Sequence, residues 1–441
     1  MDIETIRENY KQLALESLKN NDYDGAIIHL NAWQYAYYTN NKTDTYIYDF
    51  DLLNKVDKSL DKFKYNTQIK PRDDGKICIV YLLHGMLNST SVVLKIILDL
   101  IKGHDRSKFD IHLFVTESRF DVMRSSGNIY AKKFKEMGCP LHYPPIFKNG
   151  FSKIQAIASN INKLNPHILV TTAALADFNY YFIASLKPAP ITVGFVLACP
   201  AQFVSPSFDY GISWVNHIKS NCPIPCLYSG QIYIPDNIER KNIKKSDYNI
   251  PDDAIIITSA GRTPKFQDDR VSKLIIELMY DLPKLHYVIV GPKSDEIPLS
   301  IPDALKDRVH IFNWSDKYTD YLMISDIYLD TFPSGGGMTL LDAALLKLPL
   351  ISFHDSDTNT FDQADWNLAE EFFSPESILL INRKDISELK ITISDLYLNK
   401  NFRDYMGDKA YNHVMVLRNN IPTNIKNIEK LYINIICGRK I

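Results

Sequence analysis

Two stretches of the chain alternate apolar runs with helical spacing, and each stretch predicts an α/β domain. In the first, continuous apolar runs typical of buried parallel strands occur at residues 77–82, 111–115, 168–171 and 189–196. Apolar residues at three- and four-residue spacing predict helices at residues 92–102 and 151–164. Strands and helices in this order are typical of a doubly wound, Rossmann-like sheet.

A polar, proline-punctuated segment at residues 229–251 separates the first stretch from the second and is interpreted as a linker. Beyond it, strands are predicted at residues 255–257, 287–290, 309–312, 327–330 and 350–352, with helices at 268–279 and 338–347. The predicted α/β domains therefore span residues 71–235 and 236–420, with a last helix at 421–441. Two such domains would face each other across a cleft at the carboxyl ends of their strands.

Residues 1–70 have a helical pattern instead. Apolar positions at helical spacing lie on both sides of the polar turn Asn20-Asn21-Asp22, which predicts an antiparallel helix pair. The turn and Ala26 resemble one tetratricopeptide unit, and a single unit must dock on a neighbouring domain to bury its apolar face. A helical cap and a surface that binds a partner protein are both consistent with this pattern.

Charge, cysteine content and hydropathy exclude several classes of protein. The 50 basic and 52 acidic side chains give a net charge of −2, which provides no field for a nucleic-acid backbone. The six cysteines lack the paired spacing of a disulfide scaffold, which predicts reduced thiols. The first thirty residues are charged throughout and do not resemble a secretion signal, which predicts a cytoplasmic protein. No apolar run is long enough to cross a membrane. Neither Cys222 and Cys226 nor the Asp-x-Asp motif Asp49-Phe50-Asp51 forms a convincing metal site, so no metal is predicted.

The strongest local signal is the segment "DIYLDTFPSGGGMTLLDAALLKLPLIS". It predicts a strand, a glycine-rich loop and the start of a helix, a combination whose free backbone amides bind phosphate. The predicted diphosphate-binding residues are Ser334, Gly335, Gly336, Gly337, Met338 and Thr339. Asp342 lies one turn into the helix, where a carboxylate suits the two hydroxyl donors of a ribose. Alternatively, Asp342 only complements the helix dipole.

A second signal, "TSAGRTPKFQDDR", directly follows the first strand of the second domain. It places Arg262 and Lys265 at the same cleft edge as the glycine-rich loop. Fixed cations there would stabilise the negative charge that grows on a departing nucleoside diphosphate. The alternative is that both are solvated surface charges.

These segments resemble those of a known enzyme family, the O-linked N-acetylglucosamine transferases and the related bacterial adhesin glucosyltransferases. The stretch "DTFPSGGGMTLLDAALLKLPLIS" resembles their donor site, and Lys265 in "GRTPKFQ" lies where they have a phosphate-binding lysine. The segments "VYLLHGMLNSTSVVLKIIL", "SLKPAPITVGFV" and "LYSGQIYIPDNIE" match in order and spacing. The resemblance covers residues 76 to 370 and implies the GT-B fold, in which two Rossmann-like domains face a cleft.

The chain departs from the family pattern at two positions. Gly337 stands where the family commonly has a histidine, and the family histidine after the first strand falls at Asn88, with His84 nearby. The retaining branch of this fold carries two glutamates in the donor region. Here only Asp342 stands at the second of those positions, which favours the inverting branch.

The resemblance implies transfer of a hexose or N-acetylhexosamine from a uridine diphosphate (UDP) sugar to an acceptor, with a protein side chain favoured. Lys265 is the predicted group acting on the phosphates, and His84 the predicted acceptor-side base. His84 could instead only order the backbone. No cofactor beyond the donor sugar is predicted. A polysaccharide glycosyltransferase, a sugar-nucleotide epimerase and a non-catalytic scaffold of the same fold remain as alternatives.

Overall fold

The structure is a computed structural model that describes residues 2–40, 48–146, 148–197, 203–214, 222–239, 241–315, 317–354 and 369–438. Cys199, one of the six cysteines, lies outside these residues. Among the helices that are described, none combines the length and the apolar character needed to cross a bilayer.

The N-terminal segment forms three helices, α1 (Ile3–Lys19), α2 (Tyr23–Asn40) and α3 (Phe50–Leu60). The predicted pair, α1 and α2, pack against each other, and the turn between them places Asn21 at a positive φ of 59°. The third helix begins at the Asp-x-Asp motif, where the Asp49 carboxylate accepts a hydrogen bond from the Leu52 amide at 3.0 Å. Asp49 is therefore a helix cap in this structure.

The helix pair docks on the next domain, as a single unit must. Trp33 of α2 is 1% exposed and packs edge-on against Phe178, with ring centroids 6.4 Å apart. Tyr23 stacks on Phe151 at 4.6 Å. Burial of these large rings supplies the apolar contact that one helix pair cannot provide by itself.

Residues 77–228 form a parallel sheet of seven described strands. The strands are β1 (Ile77–Leu83), β2 (Phe109–Val115), β3 (Leu141–His142), β4 (Ile168–Thr171), β5 (Ile191–Val196), β6 (Tyr210–Ser213) and β7 (Cys226–Tyr228), in the spatial order β3-β2-β1-β4-β5-β6-β7. The intervening helices are α4 (Val92–Gly103), α5 (Arg119–Arg124), α6 (Asn128–Glu136), α7 (Gly150–Lys163) and α8 (Phe178–Ser185). In β1, residues 78–83 are all buried, because helices cover both faces of the sheet.

The second domain repeats this architecture with six described strands. They are β8 (Ile255–Ala260), β9 (Leu285–Gly291), β10 (Val309–Asn313), β11 (Ile327–Leu329), β12 (Leu350–His354) and β13 (Leu379–Asn382), in the order β10-β9-β8-β11-β12-β13. Its helices are α9 (Arg270–Asp281), α10 (Tyr318–Met323), α11 (Met338–Leu345), α12 (Ala369–Phe372) and α13 (Ser387–Leu398). Strand order reverses between β1 and β4 and between β8 and β11, the switch points where such sheets bind ligands.

A last helix, α14 (Lys400–Ile436), crosses from the second domain back to the first. The boundary predicted at residue 420 falls inside it. The Asn424 amide donates to the Gln231 carbonyl at 2.7 Å, and the Glu429 carboxylate accepts from the Asp105 amide at 2.6 Å. These contacts explain why the helix continues: its second half is held by the linker and by the first domain.

Candidate active site

The glycine-rich loop follows β11 at the switch point of the second sheet and is braced by a buried carboxylate. Asp330, 1% exposed, accepts hydrogen bonds from the Gly336 amide at 2.7 Å and from the Thr331 amide at 2.8 Å. The Ser352 hydroxyl of β12 donates to its other oxygen at 2.6 Å. Sequence reasoning identified Asp330 only as the end of a strand. Its hydrogen bonds to the loop could be recognised only from the structure, because Gly336 is distant from it until the loop folds.

This brace changes the expected role of Gly336. Its amide is already hydrogen-bonded to Asp330, so it is not available to a phosphate in this conformation. A Cβ at Gly336 would lie 2.4 Å from the Thr339 hydroxyl oxygen, so a larger residue there would force the Thr339 side chain to move. The amides of Gly337, Met338 and Thr339 belong to the beginning of α11, where helical geometry leaves N–H groups without intrahelical acceptors.

Lys265 and the glycine-rich loop come together as the sequence predicts. Lys265 lies in the short 3-10 turn Thr263–Phe266 after β8, and its ammonium group donates to the carbonyl of Gly335. The two neighbouring strand ends thus place a cation beside the start of α11. Arg262 caps the same turn but is exposed. The buried hydroxyl of Ser334 has no hydrogen-bond partner among the described residues.

Asp342 is buried in the second turn of α11 and is paired with Tyr318 of α10. The Tyr318 hydroxyl donates to one oxygen of the Asp342 carboxylate. Burial raises the pKa of Asp342 to about 6, against the lowering effects of the Tyr318 hydrogen bond and of the positive charge on Lys95. The carboxylate therefore titrates close to neutral pH, with a hydroxyl donor already in place.

Asp342 lines a cavity of about 380 Å³ between the two domains, within the size range of small-molecule sites. Thr90, Val92 and Lys95 line it from the first domain, and Tyr233 and Pro235 from the linker. Its second-domain lining is formed by Ala260, Gly261, Val290, Gly291, Trp314, Ser315, Tyr318, Thr319, Met338, Thr339 and Asp342. Of the predicted donor residues, Met338, Thr339 and Asp342 thus line this cavity directly. The remaining ones lie on the adjoining loops.

Two glycines that line this cavity, Gly261 and Gly291, were not identified from the sequence. Gly291, at the end of β9, has a φ of +125°, and a Cβ there would lie 1.9 Å from the Gly261 carbonyl oxygen. Only glycine permits both that conformation and that approach. The two adjacent strand ends are therefore close enough to form one continuous surface.

Three further lining residues were missed at the sequence level. Trp314, 61% exposed, and Tyr318 bring aromatic rings to the cavity from the segment around the start of α10. Lys95 reaches it from α4, where the sequence showed it only as a charge that interrupts an apolar stretch. A tryptophan and a tyrosine four residues apart, just after a predicted strand, were the available signal.

His84 lies at the switch point of the first sheet but lines a different cavity. Its amide donates to the Thr172 hydroxyl at 2.9 Å, and its ring packs edge-on against Tyr180 at 5.3 Å. The cavity beside it measures about 520 Å³ and is completed by the N-terminal helix α2. Its lining residues are Asn31, Ala32, Gln34, Tyr35, His84, Leu175, Ala176, Asp177 and Asn179. His84 thus faces the space between the first α/β domain and the helical segment.

Solved structures of other proteins share this architecture. No family model matches the chain, and no curated protein sequence matches it either. Among solved structures, an O-GlcNAc transferase mutant from Thermobaculum terrenum aligns over 98% of this chain and 85% of its own, with a TM-score of 0.64 and 12% identity. A glycosyltransferase from Rickettsia africae aligns over 83% of this chain and 100% of its own, with a TM-score of 0.56 and 14% identity.

An Anabaena protein, HepE, solved in complex with UDP-glucose, aligns over 80% of this chain and all of its own, with a TM-score of 0.54 and 9% identity. The chain therefore has the two-domain GT-B fold of glycosyltransferases, with a helical segment at its N-terminus. The resemblance that the motifs indicated is confirmed at the level of the fold.

Proposed function

We propose that this chain is a glycosyltransferase that transfers a hexose or N-acetylhexosamine from a UDP-sugar to an acceptor. One observation carries the proposal: at the switch point of the second sheet, Lys265, the start of α11 and Asp342 converge beside a cavity that the first domain completes. A cation, helix amides and a buried carboxylate in this order suit a diphosphate followed by a ribose. The fold, shared with a protein bound to UDP-glucose, supports the same interpretation.

Lys265 and the helix amides would neutralise the diphosphate. As the glycosidic bond breaks, negative charge moves onto the leaving UDP, and a cation fixed at that point stabilises the transition state more than the ground state. Lys95, which faces the cavity from the first domain, adds a second positive charge. Because these charges can neutralise the diphosphate without a metal ion, we propose metal-independent transfer.

The nucleoside half of the donor would lie against Asp342 and the two aromatic rings. The Tyr318 hydroxyl occupies one carboxylate oxygen of Asp342, which leaves the other oxygen to accept hydrogen bonds from the ribose hydroxyls. Trp314 and Tyr318 offer flat apolar surfaces of the kind that stack on a base. The choice of uridine and the inverting outcome come from the motif resemblance.

On the acceptor side, we propose that His84 accepts the proton of the attacking hydroxyl. It follows β1 at the switch point of the first sheet, and the cavity beside it measures about 520 Å³. Asp342 lines a separate cavity, so this role requires an acceptor that extends from the His84 cavity to the donor sugar. Because α2 forms one wall, the helical segment would help to choose the acceptor. A protein side chain fits this arrangement, and a glycan remains the second candidate for this position.

Release of UDP from UDP-glucose and UDP-N-acetylglucosamine, measured in chelator with and without candidate acceptor proteins, tests the proposal. A glycosyltransferase releases UDP and labels the acceptor, and its rate is unchanged by chelator. An epimerase would alter the sugar without acceptor, and a scaffold would do neither. Turnover that collapses in chelator and returns with magnesium or manganese would contradict the metal-independent mechanism.

A further inference from the structure

Three side chains that can bind a metal come together near the amino ends of β1 and β2. His84 lies at the other end of these strands, after the carboxyl end of β1. Cys78 and Asp110 are direct partners across the two strands. His112 follows Asp110 by two residues and so projects from the same face of the sheet. The Cys78 sulfur, an Asp110 oxygen and a His112 ring nitrogen all lie within 4.8 Å of one another.

The His112 ring is oriented by a second histidine. Its Nε2 lies 3.0 Å from Oδ2 of Asp110, and its Nδ1 lies 3.3 Å from Nε2 of His142 on β3. In the tautomer that carries its proton on Nδ1, this N–H donates to His142, and Nε2 is then the ligand atom on the side of Asp110. A histidine held through its outer nitrogen is also the usual arrangement around bound zinc.

We propose that Cys78, Asp110 and His112 bind a zinc ion. A thiolate, an imidazole and a carboxylate are the ligands that zinc takes in proteins, and three of them leave one position of a tetrahedron for water. Water can reach that position, because the side chains of Asp110 and His112 are 27% and 23% exposed. The ion would join β1 to β2 and stabilise the first domain, on the side of the sheet away from the proposed chemistry.

Arg72 supplies the competing charge when no metal is bound. Its guanidinium donates to Oδ2 of Asp110 at 2.8 Å and to the carbonyl of Leu164 at 3.0 Å, and it also lies 3.5 Å from Asp74. Zinc binding would release Asp110 from Arg72, which can retain Asp74 and Leu164 as partners. Removal of the Arg72 charge should therefore strengthen zinc binding, an outcome that a merely structural ion pair does not predict.

The second domain provides a matched control. There His286 of β9 and His310 of β10 stack with ring planes 8° apart, and Nδ1 of His286 lies 3.1 Å from Nε2 of His310. These strands occupy the same places in the second sheet as β2 and β3 in the first. In the described part of the chain, this pair does not belong to a group of three or more metal-binding side chains.

Titration of the full-length, chelator-treated protein with Zn²⁺ and Co²⁺ tests the inference. We expect one Zn²⁺ per chain by calorimetry, a higher melting temperature that chelator reverses, and a sulfur-to-cobalt absorption band. His112→Gln and Asp110→Asn should each weaken Zn²⁺ binding at least about tenfold, because loss of a partner that only orients a ligand already costs about 10–100-fold. Arg72→Gln should strengthen it, and His310→Gln should leave it unchanged.

Cys78→Ser should abolish the sulfur-to-cobalt band. If that buried substitution does not fold, His112→Gln and Arg72→Gln, at partly exposed positions, still decide the question. The inference is overturned if no saturable one-to-one binding occurs, if His112→Gln binds Zn²⁺ as tightly as the wild type, or if Cys222→Ser removes the band instead. None of these readouts involves a nucleotide sugar, so the inference and the proposed function can fail separately.

Discussion

The two switch points of the molecule are built in different ways. In the second domain, loops from the adjacent strands β8 and β11 supply the converging groups themselves, with Lys265 bonded to Gly335 and Asp330 bracing the loop. In the first domain, His84 bonds to Thr172 after β4, but the cavity beside it is completed by the separate helix α2. The proposed donor site is therefore intrinsic to the α/β fold, whereas the proposed acceptor side depends on an added helical segment.

This difference predicts that changes at the two switch points affect separate steps, and His84→Ala should have the largest effect. Loss of a general base typically reduces the rate by about 10²–10⁴-fold. We expect a fall of that size in kcat with a protein acceptor and no change in UDP affinity, since His84 lines the other cavity. If His84→Ala retains most of kcat with its acceptor, His84 is not the base, and the first switch point has no demonstrated role on the acceptor side.

Lys265→Ala should produce the next largest effect, on the donor side. The lost cation acts on negative charge that grows as the glycosidic bond breaks. The activation free energy for kcat should therefore rise by roughly 2–4 kcal/mol, and the binding free energy of the donor should change less. Lys265→Arg should rescue only partly, because a planar guanidinium cannot replace a compact ammonium. Lys273→Ala, at an exposed lysine of α9 paired with Asp269, is the matched control and should be unaffected. Near wild-type kcat in Lys265→Ala would remove Lys265 from the mechanism.

The sequence predicted those parts of the second domain that depend on neighbours along the chain. The buried strands, the glycine-rich loop and the start of α11 at Met338 all follow from local apolar pattern and glycine content. Groups that act across the fold could not be predicted in this way. Asp330 looks like the end of a strand until Gly336 folds back onto it, and Lys95 looks like a surface charge until the domains meet.

The surroundings of His84, the proposed acceptor side, were harder to predict for the same physical reason. Position after β1 made His84 a candidate, but nothing in the local sequence shows that α2 forms the opposite wall of its cavity. The continuous helix α14 was divided at residue 420 because its second half is held by contacts distant in sequence, such as that between Glu429 and Asp105. Long-range packing leaves no periodic signal in the segments that it joins.

A third prediction concerns how the buried Asp342 carboxylate, in the proposed donor site, lowers the free energy of unfolding. Burial raises the pKa of Asp342 from 3.8 to about 6, so its stabilising contribution is complete below the unfolded pKa and is lost as the pH rises through about 6. Asp342→Asn keeps an acceptor for Tyr318 and removes this titration. The variant should therefore be more stable than wild type by up to about 3 kcal/mol near pH 8, and about equal near pH 4. Urea unfolding across that range measures the difference, and a gap that does not change with pH would contradict the assignment.

Calorimetric binding of UDP to the wild type and to Asp342→Ala tests the central claim most directly, because it requires neither the acceptor nor turnover. The account predicts saturable one-to-one binding of UDP in chelator. Asp342→Ala should weaken it by about 1–3 kcal/mol through a lost charge-assisted hydrogen bond to the ribose. Absence of UDP binding by the wild type, or equal affinity in Asp342→Ala, would contradict the assignment of the cavity between the domains as the donor site.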